Sequence, residues 1–100
     1  MKFKIKQIKD LKNCDYSFEH YDWCKDKINL NDYGVVYEGE VSDEDASKGN
    51  NYVLEMLFTK FNIAHPEDYK GRSLSVSDIV ELDGKNYYCD AFGWVELKEE

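Results

Sequence analysis

His65-Pro66-Glu67-Asp68-Tyr69-Lys70-Gly71-Arg72-Ser73-Leu74-Ser75-Val76-Ser77-Asp78-Ile79-Val80-Glu81-Leu82-Asp83-Gly84-Lys85-Asn86-Tyr87-Tyr88-Cys89-Asp90-Ala91-Phe92-Gly93-Trp94-Val95-Glu96-Leu97 is the stretch that decides the fold. Val76, Val80 and Leu82 surround an Ile79-Val80 pair, and β-branched runs of this kind favour strands. Asp83-Gly84 follows, a strong two-residue hairpin signal, and then Tyr87-Tyr88-Cys89. A further turn at Phe92-Gly93 leads into Trp94-Val95-Glu96-Leu97. The C-terminal third therefore reads as a meander of three short strands. Within it, the alternation of serine and apolar residues from Ser73 to Asp78 suggests a half-buried strand entry, with serine or aspartate side chains satisfying backbone groups at a turn.

Working outward, Leu54, Leu57, Phe58 and Phe61 fall at i, i+3, i+4 and i+7, the stripe of an amphipathic helix. Asn50 or Asn51 is the expected cap, and Asn62 and Pro66 close the helix. Ser42 to Asn51 is polar and acidic and reads as a loop. Before it, Val35 to Val41 alternates, with Val35, Tyr37 and Val41 assigned to one side and Glu38 and Glu40 to the other. Asn31 to Gly34 reads as a turn. Tyr16, Phe18, Tyr21, Trp23 and Cys24 suggest a short strand followed by a helical turn. Near the N-terminus Phe3 and Ile5 alternate with Lys2, Lys4 and Lys6, a strand whose lysines would discourage edge pairing. Together these elements predict a single α+β domain over residues 1–100: a mostly antiparallel sheet of about five short strands with one main amphipathic helix on one face.

One hundred residues suffice for one core and not for two. With 42% hydrophobic and 15% aromatic residues the chain is expected to fold. The net charge is −8. Residues 1–13 carry five lysines against Asp10, so +4, which leaves −12 for the rest. Binding nucleic acid through bulk electrostatics is not expected of such a chain. An acidic body serves solubility, or it imitates rows of phosphates and fills a basic groove on another protein. Three cysteines, an odd number, suggest free thiols in a reducing compartment. The first residues lack the unbroken apolar run of a signal peptide, and no apolar run approaches a membrane span, so a cytoplasmic location is expected.

Candidate chemistry is sparse. Cys14, His20 and Cys24, with Cys89 distant, lack the tightly spaced pairs of a structural zinc site, so no metal is expected. A nucleophile drawn from Cys89, Ser73, Ser75 or Ser77 with His65 as base would need a geometry that spacing does not supply. Asp78 and Asp90 lie within strand-like stretches, where carboxylates persist as acceptors for backbone N–H groups. The glycines form no phosphate-cradling pattern, and no cofactor is expected. Tyr16, Tyr21, Trp23, Tyr33, Tyr87, Tyr88 and Trp94 exceed what one small core easily buries, and Tyr and Trp dominate protein interfaces.

The chain resembles the YodL-like family of small bacterial domains. The resemblance is carried by Tyr37-Glu38-Gly39, by Phe61-Asn62 and His65-Pro66, by the more specific string Ser73-Leu74-Ser75-Val76-Ser77-Asp78-Ile79-Val80, and by Tyr88, Asp90 and Phe92-Gly93-Trp94. It runs from Phe3 to Leu97. It implies a domain often encoded on conjugative elements and phages, alone or attached to larger proteins, with no established enzymatic activity. Arg72 stands where many relatives are expected to carry histidine, which weakens any catalytic role built on histidine there.

These readings lead to the expectation of a non-catalytic protein-binding domain from a phage or conjugative element. The leading role is inhibition of a host nucleic-acid-targeting defence protein of the CRISPR effector or restriction nuclease kind, without direct nucleic-acid or membrane binding. The expected contact surface is Tyr33, Tyr37, Glu38, Glu40, Asp43, Glu44 and Asp45. The alternative is a regulatory adaptor for another host cytoplasmic protein, such as a cell-shape or envelope factor, that docks through the C-terminal hairpin. A small acid–base or thiol enzyme comes third.

Overall fold

The computed structural model describes residues 1–98. Five strands, β1 (Lys2–Ile8), β2 (Tyr33–Glu40), β3 (Ile79–Leu82), β4 (Lys85–Cys89) and β5 (Trp94–Leu97), form one sheet in the order β2-β1-β3-β4-β5, with every neighbouring pair antiparallel. The helices are α1 (Tyr21–Cys24), α2 (Asp43–Ala46) and α3 (Asn50–Ile63). This is the expected α+β arrangement with its C-terminal three-strand meander. Asp83 and Gly84 turn the β3–β4 hairpin with φ of 48° and 86°, the positive pair that a type I′ turn requires. No helix is long and apolar enough to cross a membrane among the described residues.

The helix α3 lays Val53, Leu54, Leu57 and Phe61 on the first face of the sheet, against Phe3, Ile5, Val80, Leu82 and Tyr87. The 3.6-residue stripe of the helix and the two-residue alternation of β1 and β3 meet there in one apolar cluster. Its cap differs from expectation. Gly49 precedes the helix with no side-chain cap bond, and Asn50 is its first residue, with Nδ2 donating to the Tyr87 hydroxyl at 2.8 Å. Asn62 lies inside the helix and Ala64 ends it.

A bulge decides the second face. Ile5 pairs with Tyr37, but Lys6 pairs with Val35, so Val36 is an extra residue and the side-chain phase of β2 inverts across it. Val36 turns toward the α3 cluster while Val35 is exposed, which corrects the single-phase reading of Val35, Tyr37 and Val41. Tyr33, opposite Ile8, thereby falls on the second face. There it joins Ile8, Ile79 and Tyr88 beneath Tyr16 and Cys24 from the excursion between β1 and β2. That excursion is turns plus α1, not a strand. Phe18 has φ 64°, which no extended segment tolerates, and Ser17 Oγ donates to the Leu11 carbonyl at 3.0 Å.

Two further expectations change. Ser42 to Asn51 is not a plain loop, because Ser42 Oγ accepts from Asp45 N at 3.2 Å and caps α2. The lysines of β1 do not guard an edge: β1 lies between β2 and β3, and Lys4 and Lys6 pair with Glu38 and Glu81 at 3.5 and 2.8 Å. Edges belong to β2 and β5.

Candidate functional site

The bulge separates the two tyrosines that the sequence groups together. Tyr33 is 7% exposed, and its hydroxyl donates to the Ser77 carbonyl at 2.6 Å, so it is spent on the scaffold and offers no contact surface. Tyr37 packs its ring on the other face against Phe3, Phe61 and Tyr69 at 5.3 to 6.1 Å between centroids, and only its hydroxyl reaches the rim. That hydroxyl donates to Asp68 Oδ1 at 3.1 Å and draws the turn after Pro66 to the β2 edge. Burial and the Asp68 carboxylate both raise the Tyr37 pKa. Beside it Gly39 lies under the Phe3 ring, where an added Cβ would come within 2.8 Å, so the Tyr-Glu-Gly triplet is constrained by packing.

The carboxylates fall into two groups. Glu38 and Glu40 project from the second face opposite Lys4 and Lys2, and Glu38 is ion-paired to Lys4. Asp43, Glu44 and Asp45 occupy the first turn of α2, which the preceding Val41 brings to the end of β2 through its backbone bond to Met1. Asp45 lies 3.8 Å from Lys48, whereas Asp43 and Glu44 are exposed and make no ion pair among the described residues. Glu40, Asp43, Glu44 and, by way of Tyr37, Asp68 thus define an acidic rim along the open β2 edge. Asp68 is the member that sequence reasoning missed, because nothing in a Glu67-Asp68 pair signals the hydroxyl that recruits it.

Asp78 and Asp90 behave as backbone acceptors. Asp90 Oδ1 accepts from Tyr21 N and Ala91 N at 2.9 and 2.8 Å, fastening α1 to the β4–β5 turn. Asp78 is fully buried; its Oδ2 accepts from Ser75 N and Gln7 Nε2 at 2.9 and 3.1 Å. Its Oδ1 has no hydrogen bond and faces the Arg72 guanidinium at 3.8 Å. Burial pushes its pKa up to about 6, outweighing the hydrogen bond from Ser75 and the charge of Arg72. Ser75 to Asp78 is a turn with Ser77 at φ 81°, closed by Asp78 N to Ser75 O at 3.0 Å, rather than the strand entry read from the alternation. The buried Gln7, another residue that the pattern hides, also accepts from Arg72 N at 3.0 Å and bonds the Tyr69 hydroxyl at 3.3 Å. Tyr69 in turn donates to the Arg72 carbonyl.

The candidate nucleophiles are held in structural roles, Ser77 and Cys89 side by side through Ser77 N donating to the Cys89 carbonyl at 2.9 Å. Burial pushes the Cys89 thiol up to about 12 and also raises Cys24, whose Sγ lies 3.1 Å from the Tyr88 hydroxyl. Ser77 Oγ accepts from Phe18 N at 3.0 Å. His65 is exposed and turns its Nδ1 to the Pro66 carbonyl at 2.9 Å, and His20 Nδ1 accepts from Trp23 N at 3.2 Å. Among the described residues no three His, Cys, Asp or Glu side chains gather as a metal site. Of the surplus aromatics, Tyr16, Tyr33, Tyr87 and Tyr88 are buried, Trp23 is exposed, and Phe18 and Phe92 join it at the surface.

Fold and site together define a small α+β domain with an apolar core on each face of the sheet, a buried hydrogen-bonded Gln7–Asp78 pair and an acidic sheet edge. The chain belongs to the YodL-like domain family, whose match spans residues 2–99. No curated protein and no solved structure matches it.

Proposed function

We propose that this YodL-like domain is a non-catalytic protein-binding module of a phage or conjugative element that inhibits a host nucleic-acid-targeting defence protein by presenting its acidic rim to a basic cleft. The observation that carries this reading is the segregation of charge. Lys4 and Lys6 pair across neighbouring strands with Glu38 and Glu81, while Asp43 and Glu44 stand exposed at the end of the β2 edge without a cation among the described residues. A row of carboxylates so placed steers association with a positively charged groove and competes with phosphates there. Such an encounter weakens with salt, since exposed charges are screened beyond about 8 Å at physiological ionic strength. The burial and raised pKa of Cys89, together with the structural duties of Ser77 and His20, support the non-catalytic part of the proposal.

The test is a DNA-cleavage assay with a purified RNA-guided or restriction nuclease, run with this protein and with a Glu44→Lys, Asp45→Lys variant. Inhibition by the first and not by the second supports the reading, and equal inhibition by both removes the rim from it.

A second reading is favoured by a separate observation. Phe92, at the β4–β5 turn, is 96% exposed, and Phe18 and Trp23 are about half exposed. An adaptor for another host cytoplasmic protein would dock through this end, and Phe92→Ser would abolish its binding while leaving rim-dependent inhibition intact.

A further inference from the structure

The helix α3 also carries apolar side chains, Tyr52 and Ile63, that its core face does not bury. Opposite the core-facing Leu54, Leu57 and Phe61, the outer side carries Tyr52, Met56, Thr59 and Ile63, spaced four, three and four residues apart, the interval of a coiled-coil seam. Tyr52 is 42% and Ile63 80% exposed, and with Met56, which is partly buried against the core cluster, they line a shallow groove of about 520 Å³ whose Tyr52 end carries the Lys48 ammonium 4.9 Å from the ring centroid. The flanks of this seam say what covers it. Glu55, whose Oε2 accepts from Trp94 Nε1 at 3.4 Å, lies on one side and Lys60 on the other, in the g and e positions of the repeat when Tyr52 and Thr59 are d and Met56 and Ile63 are a.

We infer that the partner of this face is a second copy of the same chain, seated with the two α3 helices parallel about a two-fold axis. In a parallel pair, g of one helix meets e of the other five residues on, so Glu55 of each copy faces Lys60 of the other, twice by symmetry. In an antiparallel pair g faces g, which would place the Glu55 side of one helix against the Glu55 side of the other and leave both Lys60 side chains without an anion. Charge therefore selects the parallel orientation. The Met56 and Ile63 side chains stack on their counterparts at the centre, and the two sheets lie outermost, away from the contact. Two helices of this length bury less than the roughly 1,200 Å² at which standard interfaces begin, so the association is weak, with a dissociation constant on the order of 10 µM to 1 mM.

Sedimentation equilibrium of the intact chain at loadings up to about 1 mM tests this. The expected result is a monomer–dimer equilibrium that Ile63→Glu reduces to monomer. Glu55→Lys and Lys60→Glu should each weaken association about fivefold, two exposed pairs being lost, and the double reversal should return it to within about twofold. Circular dichroism of each variant confirms that the fold is kept, which the exposure of these side chains favours. A chain that stays monomeric throughout, a dimer indifferent to Ile63→Glu, or a dimer tightened by Glu55→Lys alone would overturn the proposal.

Discussion

The two faces of the sheet are built on different principles. The first is a continuous apolar cluster in which α3 covers Phe3, Ile5, Val80 and Leu82, and it needs only side chains of the right size at the right period. The second is divided. Half of it is a ladder of charges, Lys4 and Lys6 against Glu38 and Glu81. The other half is roofed by the excursion between β1 and β2, whose aromatics are fastened by their hydroxyls: Tyr33 to Ser77 O at 2.6 Å, Tyr88 to Glu19 O at 2.7 Å and Tyr16 to Asp32 at 2.7 Å. The first face is held chiefly by area, whereas the second adds directed hydroxyl bonds to an apolar cluster of its own. The turn from Ser75 to Asp78 joins them, with Ser77 serving the second face through Phe18 and Tyr33 and Asp78 serving the first through Gln7.

Truncation of the first face should have the largest effect. Phe61 is fully buried and contacts Phe3, Tyr37 and Tyr69, so Phe61→Ala should cost about 3–5 kcal/mol in urea unfolding, as large-to-small changes of buried aromatics do. A loss under about 1 kcal/mol would mean that this cluster is not the principal core.

At the junction the effect is on pH. The pKa of Asp78 in the folded chain, about 6, lies above its ordinary value, so between about pH 4 and 6 the native state holds a proton that the unfolded chain has released. Its contribution is fully present below the ordinary carboxylate range and is lost as pH rises through about 6, to the extent of roughly 3 kcal/mol, about half of it between pH 5 and 7.5. Thermal melts at pH 5 and pH 7.5 should show this component as a difference in slope between the natural chain and Asp78→Asn. Parallel pH profiles for the two would contradict the burial of an ionising carboxylate.

The second face should respond to hydroxyl deletion rather than to volume. Tyr33→Phe keeps the ring but leaves the Ser77 carbonyl without its side-chain donor, at a cost of about 1–2 kcal/mol. Tyr37→Phe, which removes only an exposed bond to Asp68, should change unfolding by no more than about 0.5 kcal/mol. Equal effects of the two changes would erase the distinction between the faces.

This contrast also explains what the sequence makes legible. The helix stripe, the Asp83-Gly84 hairpin and the alternation of β1 follow from local periodicity and turn chemistry, and they produce the first face. The bulge at Val36 does not, since one extra residue leaves no compositional trace yet inverts the phase of everything before it, burying Tyr33 and exposing Val35. Nor does the α1 excursion, because Phe18, Tyr21 and Glu19 are fixed by Ser77, Asp90 and Tyr88, partners distant in sequence. The acidic rim was legible in Glu40, Asp43 and Glu44, whereas the pairing of Glu38 with Lys4 and the recruitment of Asp68 depend on strand order and on one tyrosine hydroxyl.

Glu44 is exposed without an ion pair among the described residues and Asp45 makes only the surface pair with Lys48 at 3.8 Å, so reversing both should leave unfolding within about 1 kcal/mol of the natural chain. That separation of stability from binding makes the nuclease assay the most direct test of the proposed function. A molar excess of this protein should suppress DNA cleavage by the purified effector, rising salt should relieve the suppression, and Glu44→Lys with Asp45→Lys should abolish it in a folded chain. Suppression that is indifferent to both salt and charge reversal, or no suppression of any such effector, would contradict the proposed function.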